Sequence, residues 1–291
     1  MQPTVVLLVA LASIASGQTT ISPTAAHGYA ANAGWIDLCG DTSSGVRVAD
    51  TSLSGCAYAA NFGWIHLGDG TPGNGHTYSN TSATDCGVNL SPSGHLTGSA
   101  YAANVGWITF EQTHGQPRLD LRTGVFSGSA YSANLGWIAL ATTFSSLATT
   151  SIARLDSDGD QIADSWEMLH FSNLTTATPT SDRDGDGASD LAEYSAGTLP
   201  ADATSHLRIT AHSYPSASQA ALTWSSVATR NYRVEYDEDL ADPWTASSLG
   251  SLPPTGSLPP TGSLTSAALT GLTTTPRRFF RAVALPLPPA P

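Results

Sequence analysis

Two stretches of the 291-residue chain carry side chains whose types and spacing could do chemistry: DSDGDQIADSWE from residue 156 and DRDGDGASDLAE from residue 182. In the first, Asp156, Asp158 and Asp160 take the first, third and fifth positions, with Ile162 seventh, Asp164 ninth and Glu167 twelfth. The second repeats this with Asp182, Asp184, Asp186, Ala188, Asp190 and Glu193. Calcium takes six to eight oxygens, and a twelve-residue loop supplies them at these offsets. The early residues supply side-chain carboxylate oxygens, the seventh lends its backbone carbonyl, the ninth acts directly or through water, and the last Glu is bidentate. The pattern therefore predicts calcium at about two sites. Ten of the chain's 23 acidic residues stand at these two matching sets of five offsets, which is not how a merely solvated acidic linker is built. Left without a cation the clustered Asp residues repel, so the metal is expected to fold the segment. The sixth position, where a sharp turn favours Gly, is Gly187 in the second loop and Gln161 in the first. The second loop is thus expected to be the tighter, with Gly159 relieving strain in the first. Short helices are predicted after each loop, one from 163 to about 171 packing through Trp166 and Leu169, and one from 190 to 196 stopped by Gly197.

The elements around these loops read as β-structure. The phrase HGYAANAGWIDL returns as GCAYAANFGWIHL, GSAYAANVGWITF and GSAYSANLGWIAL, with Trp at 35, 64, 107 and 137, that is, at intervals of 29, 43 and 30 residues. The long interval holds the Gly/Ser/Thr/Asn-rich insertion GDGTPGNGHTYSNTSATD. Each full unit has three short alternating runs, which predicts strands. Period two assigns faces. Ile36/Leu38, Ile65/Leu67, Ile108/Phe110 and Ile138/Leu140 point to a core. The alternate positions accept Asp37, His66, Thr109 or Ala139, so they face solvent, and the Trp shares that face. In the preceding run Leu53, Gly55 and Ala57 point in, while Ser54, Cys56 and Tyr58 point out. Ala-Ala-Asn-x-Gly between them is turn chemistry.

The result is an outward face of Tyr29/Trp35, Tyr58/Trp64, Tyr101/Trp107 and Tyr131/Trp137. Three readings stand: a cross-strand ladder that registers one repeat on the next, a surface for assembly with copies of the same chain, or a platform for extracellular polysaccharide. The phrase resembles the G-Y-A-W-x-x-N-x-G-W-I-x-F repeats of large surface and secreted proteins of environmental bacteria, over roughly residues 18 to 145, although the first Trp of that phrase and one neighbour are missing here. That resemblance implies a β-rich extracellular structural module with no catalytic residues. The acidic pair resembles the EF-hand-like calcium repeats of thrombospondin type 3 and dockerin modules. DRDGDGASDLAEYSAGTLP matches them closely, and the first loop departs at Gln161 and Met168. Such pairs imply a rigid calcium-dependent spacer.

Residues 206–285 alternate again through HLRITAH, AALTW, NYRVEY and RRFFRAVAL, with Trp224, Tyr232, Val234, Tyr236 and Phe280 as core candidates. A small β-sandwich is predicted, and the frame LTW…YRVEY…W…FFRAV resembles fibronectin type III modules. The tandem GSLPPTGSLPPTGSL is expected as a stiff, unpaired exposed loop. At the N-terminus an apolar run from Val5 to about Ile14, followed by Ala15-Ser16-Gly17, reads as a signal peptide and too short to span a membrane. Export permits disulfides. Of Cys39, Cys56 and Cys86, the pair Cys39–Cys86 is preferred if repeats stack, with no disulfide as the alternative.

A net charge of −12 lacks the clustered Lys and Arg that nucleic acid or anionic lipid requires. The eight His residues are scattered and no nucleophile or zinc-hydrolase motif appears, so an enzyme is not expected. The chain reads as mainly β: signal peptide 1–17, four-repeat β-domain 18–145, linker 146–152, paired calcium loops 153–200, β-sandwich 206–285 and tail 286–291. The expected function is that of a secreted or cell-surface calcium-binding structural or adhesive protein. Its partners are expected to be copies of itself or polysaccharide; the alternative is a carbohydrate-binding protein using the Tyr/Trp face.

Overall fold

A computed structural model describes residues 19–40, 44–238, 240, 244–257, 263–270, 272, 278–285 and 287; the expected signal peptide and most of the tail lie outside them. Period-two alternation becomes thirteen strands in the first half: β1 (Ile21–Ala30), β2 (Gly34–Asp37), β3 (Arg47–Val48), β4 (Ser52–Ala59), β5 (Gly63–Gly68), β6 (Val88–Leu90), β7 (Leu96–Ala102), β8 (Gly106–Phe110), β9 (Arg118–Leu119), β10 (Phe126–Ser127), β11 (Ser129–Ser132), β12 (Gly136–Ala139) and β13 (Leu147–Thr149). Each repeated phrase is one antiparallel hairpin: β1–β2, β4–β5, β7–β8 and β11–β12. Successive hairpins pair edge to edge, and β12 returns to β1 through Tyr29↔Ala139 and Ala30↔Ile138. The four repeats therefore close an eight-stranded barrel.

Register explains how the barrel fills. Across each hairpin a small residue faces an isoleucine: Gly28↔Ile36, Ala57↔Ile65, Ala100↔Ile108 and Ala130↔Ile138. These pairs, with Leu38, Leu67, Phe110 and Leu140, line the apolar interior. An eight-stranded barrel is just wide enough for side chains to fill, and alternating small and large residues suits that width. The tip residues Ala33, Phe62, Val105 and Leu135 are buried and plug one end. Toward the other end the short pairs β3–β4, β6–β7 and β9–β10 add Val48, Val88, Leu90, Leu119 and Phe126 to the same core. There the chain needs glycine. Gly98 has φ +87°, and a Cβ would lie 2.3 Å from the Gly87 carbonyl oxygen.

The domain is longer than the expected 18–145. Residues 146–152 are not a linker: β13 pairs with β1, and Ile152 is buried in the barrel core. Nor does a disulfide form among the described residues. The Cys39 thiol turns to the Ile21 carbonyl and the Cys86 thiol to the Ala83 carbonyl, each at 3.7 Å, so each sulfur is directed to local backbone rather than to the other.

The acidic segment forms α1 (Asp164–His170) and α2 (Asp190–Ala196), the latter ending at Gly197 with φ +73°. The Trp166 ring lies 5.6 Å from that of Tyr194 and so links the helices, whereas Leu169, expected to pack, is 39% exposed. The last region has two sheets. One orders β14 (Ile209–Ser216), β15 (Gln219–Ser226), β19 (Ser263–Leu269) and β18 (Gly256–Ser257); the other orders β17 (Thr245–Ala246), β16 (Tyr232–Asp237) and β20 (Phe279–Ala284). Trp224, Tyr232 and Val234 are buried between them. The proline duplication is not wholly unpaired. Leu252 exchanges two backbone hydrogen bonds with Tyr232, and Gly256–Ser257 pair with β19. Pro253 and Pro254 fall between these contacts, where no backbone N–H is needed. The second copy, from 258 to 262, lies outside the described residues.

Candidate metal centre and aromatic face

The two acidic loops fold alike because the same carboxylates organise the same backbone. Asp156 accepts the N–H groups of Gly159 (2.7 Å) and Gln161 (3.0 Å), and Asp182 accepts those of Gly185 (2.8 Å) and Gly187 (2.9 Å). Asp160 then accepts from Ile162 at 2.8 Å and Asp186 from Ala188 at 2.7 Å. In each loop the three early carboxylates converge: oxygens of Asp156, Asp158 and Asp160 lie within 4.8 Å of one another, as do those of Asp182, Asp184 and Asp186. Like charges at this separation favour either protonation or a cation.

The twelfth-position glutamates complete the picture. Glu167 and Glu193 are fully buried, at 0% exposure. Both Glu167 oxygens and Glu193 Oε2 have no hydrogen-bond partner, and Asp160 Oδ2 and Asp184 Oδ2 are likewise buried without one. Burial first, and then the neighbouring Asp charges, push both Glu carboxyls up to about 7. An orphaned buried carboxylate is costly, and oxygen-only donor sets of this kind suit hard divalent cations. The residues present therefore fit a metal ion.

The other positions of the expected ligand pattern behave less uniformly. Both Asp164 oxygens are taken by Ser157, from its N–H at 2.8 Å and its hydroxyl at 2.6 Å, so this ninth residue braces its loop. Asp190 accepts from the Ser181 hydroxyl through one oxygen, and its Oδ1 is buried without a partner. Gln161 adopts φ +77° where the second loop has Gly187 at +94°; Gly159 takes its own positive φ and does not spare Gln161 the strain.

Sequence reasoning missed how the loops are held. Tyr194, next to Glu193, donates from its hydroxyl to Asp50 Oδ2 in the barrel at 2.9 Å. Arg154 Nε stands 3.6 Å from the other Asp50 oxygen, and Arg230 of the sandwich donates to the Ser195 carbonyl beside it at 3.3 Å. Burial raises the Asp50 carboxyl, an effect the Arg154 charge opposes. In the first loop the equivalent residue is Met168, and a Cβ on Gly75 of the insertion would lie 3.1 Å from its Cγ. The insertion thus packs against α1. His206, at the start of the sandwich, places Nδ1 2.7 Å from Asp186 Oδ2. Lone charged residues in unrelated segments give no local signal of such a junction.

On the barrel, the pairs Tyr29/Trp35, Tyr58/Trp64, Tyr101/Trp107 and Tyr131/Trp137 are cross-strand neighbours on the outer face. Their rings meet edge to face, with centroids 5.4, 5.0, 5.0 and 5.0 Å apart. Trp35, Trp64, Trp107 and Trp137 are 48, 51, 48 and 46% exposed. Two expectations are corrected here. The aromatic contacts do not form a ladder from one repeat to the next: Trp35, Trp64, Trp107 and Trp137 each stack on the Tyr of their own hairpin. Nor are the four indoles gathered into one platform, because closure of the barrel sets successive hairpins on different sides. Their surroundings also differ. Trp35 takes further edge contacts from Phe144 at 5.8 Å and His27 at 5.9 Å, and Trp137 lies over Gly115, where a Cβ would come within 2.9 Å of its Cζ3.

The asparagines of the turns do what the ladder was expected to do. Asn61, Asn104, Asn134 and Asn32 each donate from Nδ2 to the tip carbonyl of the preceding repeat: Ala33, Phe62, Val105 and, closing the circle, Leu135. The fourfold recurrence of Asn was the available signal for this ring. Among the described residues no helix is long and apolar enough to cross a membrane. No family model, curated protein or solved structure matches the chain.

Proposed function

We propose that this chain is a secreted, non-enzymatic structural or adhesive protein in which two calcium ions clamp a four-repeat barrel to a β-sandwich. The observation that carries the reading is the pair of fully buried glutamates, Glu167 and Glu193, with orphaned oxygens set in the field of three convergent Asp carboxylates each. Ligands would be Asp156, Asp158, Asp160, the Ile162 carbonyl and Glu167 in one loop, and Asp182, Asp184, Asp186, the Ala188 carbonyl and Glu193 in the other, with Asp164 and Asp190 bracing them. Calcium would hold α1 and α2 in place, and through Met168 and Tyr194 would hold them to the barrel. Calcium modules of moderate affinity suit an extracellular setting, in keeping with the apolar N-terminal run. The test is calcium titration of metal-stripped protein followed by Trp166 fluorescence. A saturable change lost in Glu167→Gln supports the reading; an unchanged spectrum at millimolar calcium contradicts it.

A further inference from the structure

The barrel core uses the inward residues of each hairpin; nothing in that core requires Tyr and Trp on the outside. Yet every repeat keeps both, while the outward position two residues past each Trp varies freely through Asp37, His66, Thr109 and Ala139. Trp35, Trp64, Trp107 and Trp137 are also alike in being about half exposed, although their neighbours differ. A ladder built only for packing would hide more of them. In an edge-to-face pair one ring's edge rests on the other's face, so aromatic surface remains open to solvent.

We propose that these four Tyr/Trp pairs are separate docking sites for sugar units of a neutral polysaccharide. This deepens the adhesive part of the reading above and needs no bound calcium. Charge points to a neutral partner. The hairpin segments 27–37, 56–66, 99–109 and 129–139 contain no Lys, Arg or Glu and a single Asp, Asp37, in a chain of net charge −12. An anionic partner would find no Lys or Arg there and a cationic one only Asp37, at one of the four pairs, whereas a sugar offers apolar C–H faces to stack on indole and hydroxyls for Asn, Ser and Thr. Asp37 lies cross-strand from Tyr58, and its Oδ1 accepts the Cys39 N–H at 2.8 Å. Shape points to a polymer. The pairs stand on different sides of a closed barrel, so a flat partner such as a second copy meets few of them at once. A polymer of identical units can occupy several sites, and repeated weak contacts then add by avidity.

The experiment is retention of the full chain on cellulose, chitin and mannan, with alginate as the anionic control, in calcium and in chelator. Retention on at least one neutral polymer, unaffected by high salt, is expected. Trp64→Ala should weaken it severalfold with little change in melting temperature, Trp64→Phe should restore most of it, and replacing Trp35, Trp64, Trp107 and Trp137 together should reduce it by about 10²-fold or more. Should the fourfold variant fail to fold, blue-shifted Trp fluorescence with soluble oligosaccharides of the same polymers serves in its place. Retention by none of the three, retention indifferent to Trp64, or binding confined to alginate overturns the proposal. So does loss of self-association, in place of glycan retention, on replacing Trp64; the face would then join copies of the chain. The calcium titration is independent of every one of these outcomes.

Discussion

At the scale of single residues the two loops differ at the sixth position, where their sequences part. Gln161 holds a left-handed backbone at φ +77° that its counterpart Gly187 adopts freely, and such a conformation costs a side-chain-bearing residue about 1–2 kcal/mol. Gln161→Gly should therefore tighten the first site by about 1 kcal/mol, read as a lower midpoint in calcium titration, while the second site stays unchanged. The glutamates set a pH dependence. In the metal-free protein Glu167 and Glu193 titrate near 7, above their ordinary 4.5, because they are buried beside Asp charges. The folded state then holds more protons than the unfolded one. Stability of the metal-free segment is full below about 4.5 and is lost as pH rises through about 7. Melting in chelator should accordingly fall between pH 5 and pH 8. Calcium, which must displace those protons, should raise the melting temperature most at pH 8. An unchanged chelator profile would contradict the assigned role of the two glutamates.

At the scale of elements, much was legible because a strand writes its two faces into alternate residues. Ile65 and Leu67 inward with Trp64 and His66 outward followed from period two alone, as did the outward placing of Trp35, Trp107 and Trp137. The helix at 190–196 followed from its Gly197 stop. What could not be read was long-range. The return of β12 to β1 has no local signature, so the separation of the four indoles around the barrel had none either. The same holds for the capture of residues 146–152 by the barrel, since Leu147 and Ile152 alternate no better than many loop residues. The proline duplication misled because only the N–H of Pro is missing; Leu252 beside it keeps one and uses it on Tyr232. The asparagines were read as turn residues, yet they form a ring of inter-repeat hydrogen bonds. Asn104→Ala should cost about 1 kcal/mol, with Asn61→Ala and Asn134→Ala similar, in denaturant unfolding. If the ring matters only locally, the three values will scatter toward zero. The strand β14 is exposed along its whole length, and its register breaks and Pro215 blunt an edge that would otherwise invite pairing.

At the scale of the whole molecule, one buried carboxylate ties the parts together. Asp50 of the barrel meets Tyr194 of the acidic segment and Arg154 of the connecting chain, while Arg230 of the sandwich bonds the backbone next to Tyr194. Removing one partner of a buried pair strands the others, so Asp50→Ala should destabilise the protein by about 3 kcal/mol, measured by chemical unfolding. Tyr194→Phe, which keeps the ring and loses only one hydrogen bond, should cost about 1 kcal/mol. On the proposed function, the same junction would make calcium a matter of architecture, because Tyr194 follows Glu193 directly in the chain. The most direct test of that account is calorimetric titration of the metal-stripped full chain with calcium, beside the Glu193→Gln variant. Two ions bound per chain, falling to one in the variant, is the predicted result. Absence of binding at millimolar calcium, or an unaltered count in the variant, would contradict it.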